Sequence, residues 1–411
     1  MIKLLLLPLL IVISFSMNAQ WETLNTTNSG LKYDYIKEIA IDVNGDKWIA
    51  TDTCVQKFDG TTWTTYAHAQ GINYNSINCI AVKNGIVWVG TDIGASKFNG
   101  TNWTNYSNQL QGWVSDIEIA ADNIVWFANN GISKFDGTTW THYNYNNETL
   151  GSTSISIDNK NNILWIGTNC FGLTGGVYSF NMTTNEWTYY DNEQYEIECV
   201  HGVAHGKNGK VFVGTCNFSS VNLIENGAYI NSIDNVGCVS IDGLAIEPSD
   251  SNKVWIATQG EFADLKGLLF YDGTNVISKN TTNSEIPTNN INSVTVEKIN
   301  INTQKLWLGS YDKGIITYTY NVSALGINEK SENNERIKIY PNPTNDFIQI
   351  DNSNNENFTV SIYNVLGEPI LTKNIISSHQ KINIEDLKPN IYLIKIANSI
   401  GVINITYIVK N

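Results

Sequence analysis

The four residues Trp48-Ile49-Ala50-Thr51 decide the fold of this chain, because the same pattern returns six more times. Each copy has an aromatic residue, an apolar residue, a small residue and then Thr, Ser or Asn. The other copies begin at Trp88, Trp126, Trp165, Phe212, Trp255 and Trp307, at steps of 40, 38, 39, 47, 43 and 52 residues. A period near forty residues is typical of a repeat architecture in which each unit is one supersecondary element.

Each repeat unit contains four short stretches with strand character. In the second unit these stretches cover residues 76–82, 87–90, 95–98 and 103–106. They are rich in β-branched and aromatic residues, and Asn, Asp and Gly separate them, as in tight turns. Four strands in about forty residues is the pattern of one β-propeller blade. We therefore predict an all-β fold whose main part, residues 20–321, is a seven-bladed β-propeller.

The N-terminal residues 21–24 supply a strand that the last repeat lacks. The seventh unit has a third strand near residues 315–318, but no Gly-x-x-Trp stretch follows it. Residues 21–24, which begin with Trp21, match the fourth strand of the first unit, which begins with Trp63. We predict that this segment completes the seventh blade, so that two sheet edges are hidden where the ring closes.

Residues 1–19 have the features of a signal peptide. Lys3 precedes an apolar run from residue 4 to residue 15, and Met17-Asn18-Ala19 is a small-residue cleavage context. The apolar run is short for a membrane span, and no later segment approaches the roughly twenty apolar residues that a span needs. We expect an exported protein, with a retained N-terminal anchor as the alternative.

Six cysteines in an exported chain raise the possibility of disulfides. Three of them follow the aromatic residue of a repeat core by four to six residues, and three lie near the first strand of the next unit. In a propeller these two places lie on the same face, in neighbouring blades, so the cysteines could pair. The alternative to disulfides is that all six are small, buried free thiols. We predict that the pairs are Cys54–Cys79, Cys170–Cys199 and Cys216–Cys238.

The repeats end near residue 321. Residues 322–336 have a polar composition that is typical of a linker. Residues 337–411 lack the repeat, alternate apolar and polar positions, and are interrupted by Pro and Gly. This pattern predicts a small, Ig-like β-sandwich.

The repeat units resemble the two-component regulator propeller repeat, which occurs in periplasmic sensor regions and in many exported bacterial proteins. Residues 42–60 carry the resemblance: an Asn-Gly turn, the Trp-x-Ala-Thr core, and then Lys57-Phe58-Asp59-Gly60. The resemblance covers about three hundred residues. Propellers of this kind have many activities, so the resemblance implies a fold more than a function.

The C-terminal residues resemble the type A sorting domain of the type IX secretion system of Bacteroidetes. Four ordered motifs carry the resemblance: residues 339–344 (IYPNPT), 362–367 (IYNVLG), 387–395 (LKPNIYLIK) and 407–411 (YIVKN). Asn390 stands where the family usually has Gly, and Asn also tolerates a left-handed turn. The resemblance implies the type IX machinery as a partner, passage across the outer membrane, removal of this domain, and release or attachment to the cell surface.

The charge of the chain disfavours polyanionic partners. The net charge is −14, and Arg336 in the linker is the only arginine. A propeller without guanidinium groups is poorly suited to bidentate capture of phosphate or carboxylate groups. We therefore expect no nucleic-acid partner, and the acidity suits a cation or a neutral ligand.

Motifs for catalysis or metal binding are weak. His201 and His205 share a face of a strand about 13 Å apart, which is too far for one metal ion. The sequence Asp42-Val-Asn-Gly-Asp46 looks like part of a calcium loop, but it lies where every unit has a tight turn and it lacks the distal Glu. We predict no metal and no cofactor.

Trp113 is the one tryptophan outside the repeat phase, since it lies in a connection between blades. It could be an exposed platform for a sugar ring at the mouth of the propeller, or it could pack over a neighbouring loop. The turns after each core and the connections between blades share a face, where long loops favour ligand binding. The candidate ligand-binding residues on this face are Trp113, Tyr74, Phe171, Tyr195, Phe262, Tyr311, Asp92, Asn169 and Asp312, with Asn129 and Asn217 beside them.

These observations predict a monomeric, exported propeller that binds a glycan or a surface protein and reaches the cell surface or the medium by type IX secretion. The alternative is a propeller lyase or hydrolase acting on a polysaccharide or an antibiotic, with His201 or Asp242 near the mouth as acid or base. A periplasmic sensor is a third hypothesis, but no membrane helix, kinase or DNA-binding segment follows the propeller.

Overall fold

The computed structural model describes residues 20–322 and 337–410, apart from gaps at 73–75, 111, 147–148, 170–174, 191–196, 208, 217–219, 260–265, 353–357, 365–368, 376–378 and 398–401. The chain divides into two compact units, Met1–Val322 and Ser323–Asn411. The predicted signal peptide and almost all of the predicted linker lie outside the described residues.

The first unit consists of seven four-stranded antiparallel sheets, which we call blades 1 to 7. Blades 1 to 3 are β2–β5 (Glu38–Ile41, Lys47–Ala50, Val55–Phe58, Trp63–Tyr66), β6–β9 (Ile77–Lys83, Ile86–Thr91, Gly94–Phe98, Trp103–Asn105) and β10–β13 (Asp116–Ile119, Val125–Asn129, Gly131–Phe135, Trp140–Tyr143). Blades 4 and 5 are β14–β17 (Ser152–Asp158, Ile163–Thr168, Gly176–Asn181, Trp187–Tyr190) and β18–β21 (Val200–His205, Lys210–Thr215, Val221–Glu225, Ala228–Ile233). Blade 6 is β22–β25 (Val239–Ile246, Val254–Thr258, Leu268–Tyr271, Val276–Lys279), and blade 7 is β26–β28 (Ile291–Lys298, Thr303–Ser310, Ile315–Asn321) with β1 (Gln20–Leu24). A single turn of 3₁₀-helix, His68–Gln70, lies between blades 1 and 2.

The seven blades form a closed ring. The first strands of consecutive blades contact one another around the whole circle, including β26 of blade 7 and β2 of blade 1. β1 pairs with β28 in the register Trp21↔Tyr318, and the two rings stack with centroids 4.3 Å apart. The prediction that residues 21–24 close the seventh blade is therefore confirmed.

The small residue in the repeat core makes room for the next blade. A Cβ atom on Gly90 would lie 2.7 Å from Val114 at the start of blade 3, and one on Gly214 would lie 2.5 Å from Val239 at the start of blade 6. Both valines are fully buried. The repeated pattern of aromatic, apolar and small residues is thus the pattern of contacts between neighbouring blades.

The turns between the third and fourth strands lie on the opposite face from the blade connections. In blade 1 the Asp59 carboxylate accepts hydrogen bonds from the backbone N–H groups of Thr61 (2.9 Å) and Thr62 (2.7 Å), and Gly60 has a φ of 100°. Asn99 and Asp136 repeat this arrangement in blades 2 and 3. The recurring Phe-Asp/Asn-Gly sequence therefore encodes a short, self-capped turn.

The first strand of each blade lines the central channel of the ring, and we call it the inner strand. A ring of polar contacts links the inner strands to one another at one end of this channel. One residue at the start of each inner strand occupies this position, which we call the tie position: Lys37, Asn78, Ser115, Thr153, His201, Ser240 and Asn292. Six of these side chains contact a backbone carbonyl oxygen just before the tie position of the next blade, as for Asn78 and Val114 (3.3 Å). Lys37 instead donates to Ser76 Oγ of blade 2 (2.9 Å).

The cysteines agree with the predicted pairs only in part. Cys216 and Cys238 form a disulfide that links blades 5 and 6, as predicted. Cys199 is also disulfide-bonded, and its predicted partner Cys170 lies outside the described residues.

The predicted Cys54–Cys79 pair is wrong, because both residues are buried free thiols. Cys79 lies inside strand β6 opposite Gly90, and its sulfur faces the carbonyl oxygen of Val114 in blade 3, away from blade 1. Cys238 instead immediately precedes its strand, in the position that Ser76 has in blade 2. The two cysteines therefore differ in phase by three residues.

The second unit contains two antiparallel sheets around one apolar core. One sheet has the order β29-β30-β33 (Ile337–Tyr340, Phe347–Asn352, His379–Asn383). The other has the order β32-β31-β34-β35 (Pro369–Ile375, Phe358–Tyr363, Asn390–Ala397, Val402–Lys410). Ile350 of the first sheet and Val360 and Ile394 of the second belong to the same buried cluster. The unit is thus a small β-sandwich.

Candidate functional site

A cavity of about 650 Å³ opens at the mouth of the propeller, on the face that carries the blade connections. We call it the mouth cavity. Its walls come from the tie positions, the blade connections and the turns between second and third strands. The lining residues are Tyr35, Lys37, Asn78, Trp113, Ser115, Asn129, Asn130, Gly151, Ser152, Thr153, Asn169, Ile241, Asp242, Gln259 and Asn292.

Trp113 lies at the rim of the mouth cavity with 56% of its surface exposed. Its neighbour Val114 is fully buried, and the Val114 N–H donates to the carbonyl oxygen of Thr91 (3.0 Å). Leu110, on the other side, is also fully buried. The connection is therefore fixed at both ends, and within the described residues Trp113 has no aromatic neighbour in ring contact.

Two tyrosines form a second aromatic feature at the mouth. Tyr35 lines the cavity, and its ring meets that of Tyr311 edge-on at a centroid distance of 5.1 Å. Tyr311 is 51% exposed. Burial, together with Asp52 and Tyr311, raises the pKa of Tyr35, so its hydroxyl stays protonated and can donate a hydrogen bond.

The remaining wall is rich in side-chain amides. Asn78, Asn129, Asn130, Asn169, Gln259 and Asn292 all line the mouth cavity. An amide offers both a donor and an acceptor, so this wall can match hydroxyl groups in either role. The basic side chain of the wall is Lys37, whose ammonium group is 2.9 Å from the Asp52 carboxylate.

The other candidate ligand-binding residues have different positions. Asp92 accepts a hydrogen bond from Asn78 Nδ2 (3.1 Å) and so supports the wall from behind. Asp312 is exposed, pairs with Lys313 (3.0 Å) and does not line the cavity. Tyr74, Phe171, Tyr195, Phe262 and Asn217 lie outside the described residues.

Below the mouth, the central channel encloses a second cavity of about 370 Å³ between the inner strands. Four carboxyl groups line it: Glu38, Asp116, Glu118 and Asp242. They come from blades 1, 3 and 6 and are far apart in the sequence. Sequence analysis identified only Asp242, and it offered no signal that these four residues meet.

The channel raises the pKa of all four carboxyl groups. Burial raises the pKa of Glu118 to about 8, with a further contribution from Asp116. Burial also raises the pKa of Asp116 to about 6, although N–H groups of Ile155 and Ile117 oppose the shift. For Glu38 and Asp242, burial and then the neighbouring carboxylates raise the pKa well above the ordinary value.

Asp242 joins the two cavities, because it lines both. Its backbone has a φ of 58°, in the left-handed region that Asn, Asp and Gly tolerate best. Within the described ranges, its carboxylate makes no hydrogen bond or ion pair. The residue therefore presents a free carboxyl group at the floor of the mouth cavity.

The two histidines have structural contacts. His201 Nδ1 donates to the Val239 carbonyl oxygen (3.0 Å), and burial lowers the pKa of His201. His205 Nε2 is 3.2 Å from the Asp158 carboxylate, and burial lowers its pKa as well. Neither imidazole lines the mouth cavity.

The described residues hold one group with the spacing of metal ligands, namely His201, Cys216 and Cys238. Its two sulfur atoms are bonded to each other, so they are not available as thiolate ligands. In the calcium-like sequence near the start of blade 1, Asp42 accepts the N–H of Gly85 (2.9 Å) and Asp46 pairs with Lys57 (2.6 Å). Both carboxylates are therefore engaged in contacts within the fold.

Residues 338–410 match the family of secretion system C-terminal sorting domains. The chain has no significant match among curated proteins.

Solved structures share the propeller fold at low sequence identity. PorZ of Porphyromonas gingivalis, a surface component of the type IX secretion system, matches with a TM-score of 0.59 and 17% identity over 94% of this chain and 61% of PorZ. A catalytically inactive virginiamycin B lyase from Staphylococcus aureus, solved with quinupristin, matches with a TM-score of 0.56 and 12% identity over 74% of this chain and 100% of the lyase. The extracellular domain of the one-component system BT4673 of B. thetaiotaomicron matches with a TM-score of 0.54 and 14% identity over 96% of this chain and 58% of that one. This chain therefore spans about 60% of the length of PorZ and of the extracellular domain of BT4673.

The sorting domain establishes where the protein acts. A type IX sorting domain indicates a protein that is recognised by the type IX secretion system and is secreted or attached to the cell surface. Across the ranges that the structure describes, no helix combines the length and apolar character needed to cross a membrane.

Proposed function

We propose that this protein is a glycan-binding propeller that works as a monomer at the cell surface or in the medium. The observation that carries the proposal is the mouth cavity, which combines an exposed tryptophan with a wall of amides. Surface propellers with other roles share the fold, so the fold alone does not assign the ligand.

The aromatic and polar groups of the cavity match the apolar face and the polar edge of a sugar ring. The apolar C–H face of a pyranose can stack on the exposed ring of Trp113, as sugars do on aromatic platforms. The hydroxyl groups at the edge of the sugar can pair with amides such as Asn130 and Asn169, which line the same cavity. A mostly preformed concave site with a few convergent polar groups is the usual form of a small-ligand site.

The charge of the site fits a ligand without phosphate or sulfate groups. The propeller has no arginine, and Lys37 in the cavity wall is already paired with Asp52. Four carboxyl groups lie in the channel below, and their ionised forms would repel an anionic ligand. A neutral or basic glycan is therefore favoured over an acidic one.

The test is a glycan array probed with the mature full-length protein, followed by titration calorimetry on each hit. Trp113→Ala should weaken binding by about 1–3 kcal/mol, comparable to the loss of an aromatic anchor at other interfaces. Tyr33→Ala is the matched control, because Tyr33 is also exposed (48%) in a blade connection but does not line the cavity. Undiminished affinity of the Trp113 variant, or the absence of any glycan hit, would contradict the proposal. In the latter case a surface-protein ligand becomes the better hypothesis.

The enzymatic alternative depends on a single candidate group. His201 is turned toward the backbone of blade 6, so Asp242 is the remaining acid or base at the mouth. Product analysis of each bound glycan after long incubation tests this alternative, because a binding protein returns its ligand unchanged.

A further inference from the structure

The inner strand of blade 6 differs from those of the other blades in how it pairs with the second strand. In blade 2 the pairing advances from Ile77↔Thr91 to Cys79↔Gly90, so one extra residue is accommodated at the tie position. Blades 4, 5 and 7 have the same single-residue bulge. In blade 6 the pairing passes from Val239↔Thr258 directly to Leu244↔Ile256. The inner strand therefore advances five residues while its partner advances two, so this bulge holds three extra residues where that of blade 2 holds one.

The extra residues project into the site instead of extending a loop at the surface. Ile241 is 37% exposed and lines the mouth cavity, and Asp242 lines both the mouth cavity and the channel. Bulges commonly reorient a side chain next to a binding or active site. Blade 6 thus places one apolar and one acidic side chain at the floor of the proposed glycan site.

The positive charges near this floor are already engaged. Lys37, in the wall of the mouth cavity, is 2.9 Å from Asp52 and donates to Ser76 Oγ. Lys83, which lines the channel, donates to the backbone carbonyl of Ala120. The carboxyl group of Asp242 faces Glu38, Asp116 and Glu118, and among the described residues neither lysine forms an ion pair with it. A positively charged group placed at the floor would oppose the rise in the pKa of Asp242 and favour its ionised form.

We propose that Asp242 is a specificity-determining residue and that it selects glycans carrying a free, protonated amino group. This inference rests on the proposed function and narrows its ligand class from glycans in general to amino sugars. The Trp113 ring would stack on the sugar while the ammonium group reaches the Asp242 carboxylate. Such a charge-assisted hydrogen bond is stronger than one between neutral groups.

The experiment compares two tetrasaccharides that differ only in acetylation, the β-1,4-linked glucosamine tetramer and the N-acetylglucosamine tetramer, by calorimetry with the mature full-length protein. We expect the glucosamine tetramer to bind more tightly than its acetylated counterpart. Asp242→Asn should weaken binding of the glucosamine tetramer by about tenfold or more and change binding of the acetylated tetramer much less. Asn also tolerates the left-handed backbone of this position, so the bulge should keep its shape.

Asp312→Asn is the matched control, because Asp312 is an exposed carboxylate on the same face that does not line the cavity. Loss of discrimination in the Asp242 variant but not in the Asp312 variant supports the inference. Equal affinity of the native protein for both tetramers, or no binding of either one, overturns it. The proposed function would still stand in that case if other glycans bind and Trp113→Ala weakens them.

Discussion

The Nδ1 atom of His201 in blade 5 lies 3.0 Å from the carbonyl oxygen of Val239 in blade 6. A carbonyl oxygen can only accept a hydrogen bond, so Nδ1 carries the proton. The contact has equivalents around the ring, such as Asn292 Nδ2 and the carbonyl oxygen of Ile36, which are 2.8 Å apart between blades 7 and 1. The residue that the sequence offers as an acid or base is thus one member of a structural ring.

His201→Ala should therefore lower stability and leave ligand binding intact. Removing the imidazole leaves a carbonyl oxygen of the blade interface without its donor, which costs about 1–3 kcal/mol. Urea denaturation measures the change. His142→Ala is the control, since His142 is exposed on an outer strand and contacts Ser133 of its own blade (2.8 Å). A variant of normal stability that no longer binds or turns over a ligand would restore a chemical role for His201.

Removal of the closing strand should destabilise the whole propeller. β1 supplies the outer strand of blade 7 through a five-residue register with β28. Deleting residues 21–26 would expose the edge of β28 and remove the stacking of Trp21 on Tyr318. We expect a sharp decrease in the melting temperature. Deleting residues 337–411 is the control, because those residues belong to a separate unit. An unchanged melting temperature after the first deletion would contradict the closure.

Peptide mapping without reductant should find the Cys216–Cys238 disulfide, and Cys54 and Cys79 as free thiols. Replacing both Cys216 and Cys238 by Ser should lower the free energy of unfolding by about 3 kcal/mol, since the bond closes a loop with a sequence separation of 22. Cys54→Ser with Cys79→Ser is the matched control, because no covalent link is lost. A disulfide between Cys54 and Cys79 in the map would contradict the structure.

Stability should fall as pH rises from about 4 to about 8. The folded protein holds the protons of Asp116 (pKa about 6) and Glu118 (pKa about 8) more tightly than the unfolded chain, in which carboxyl groups titrate near about 4. Their contribution is therefore complete below about pH 4 and is lost as pH rises through the folded pKa values. Glu118→Gln should flatten this decline in thermal melts between pH 5 and 9, whereas Glu285→Gln, at an exposed position, should not. A decline of equal steepness in both variants would contradict the role of the channel.

The fold was predictable because its information is local and repeated. Trp48 and its six equivalents mark the second strand of each blade, and Trp21 reveals closure because it repeats the pattern of Trp63. Trp113 was identified as a candidate site residue for the opposite reason, since it is the tryptophan that does not fit the repeat pattern. It lies at the mouth cavity, and its contact with a ligand remains a prediction.

The channel and the cysteine pairing were not predictable in the same way. Glu38, Asp116 and Asp242 lie close together only because the ring brings the inner strands of distant blades together. Their spacing in the sequence does not predict this proximity. The Cys54–Cys79 pair failed because the repeat phase was matched only approximately. Cys79 lies three residues beyond the position of Cys238, and an odd shift moves a side chain to the other side of the strand.

The C-terminal domain should determine export separately from the propeller. Residues 338–410 match the sorting-domain family, and they belong to a unit with its own buried core. Truncation before Ile337 should leave a folded propeller in the periplasm, because the predicted signal peptide serves only the inner membrane. Cell fractionation and surface proteolysis measure the distribution. The reciprocal control joins residues 337–411 to a periplasmic reporter, which should then leave the cell or reach its surface. Equal export with and without these residues would show that another part of the chain is recognised.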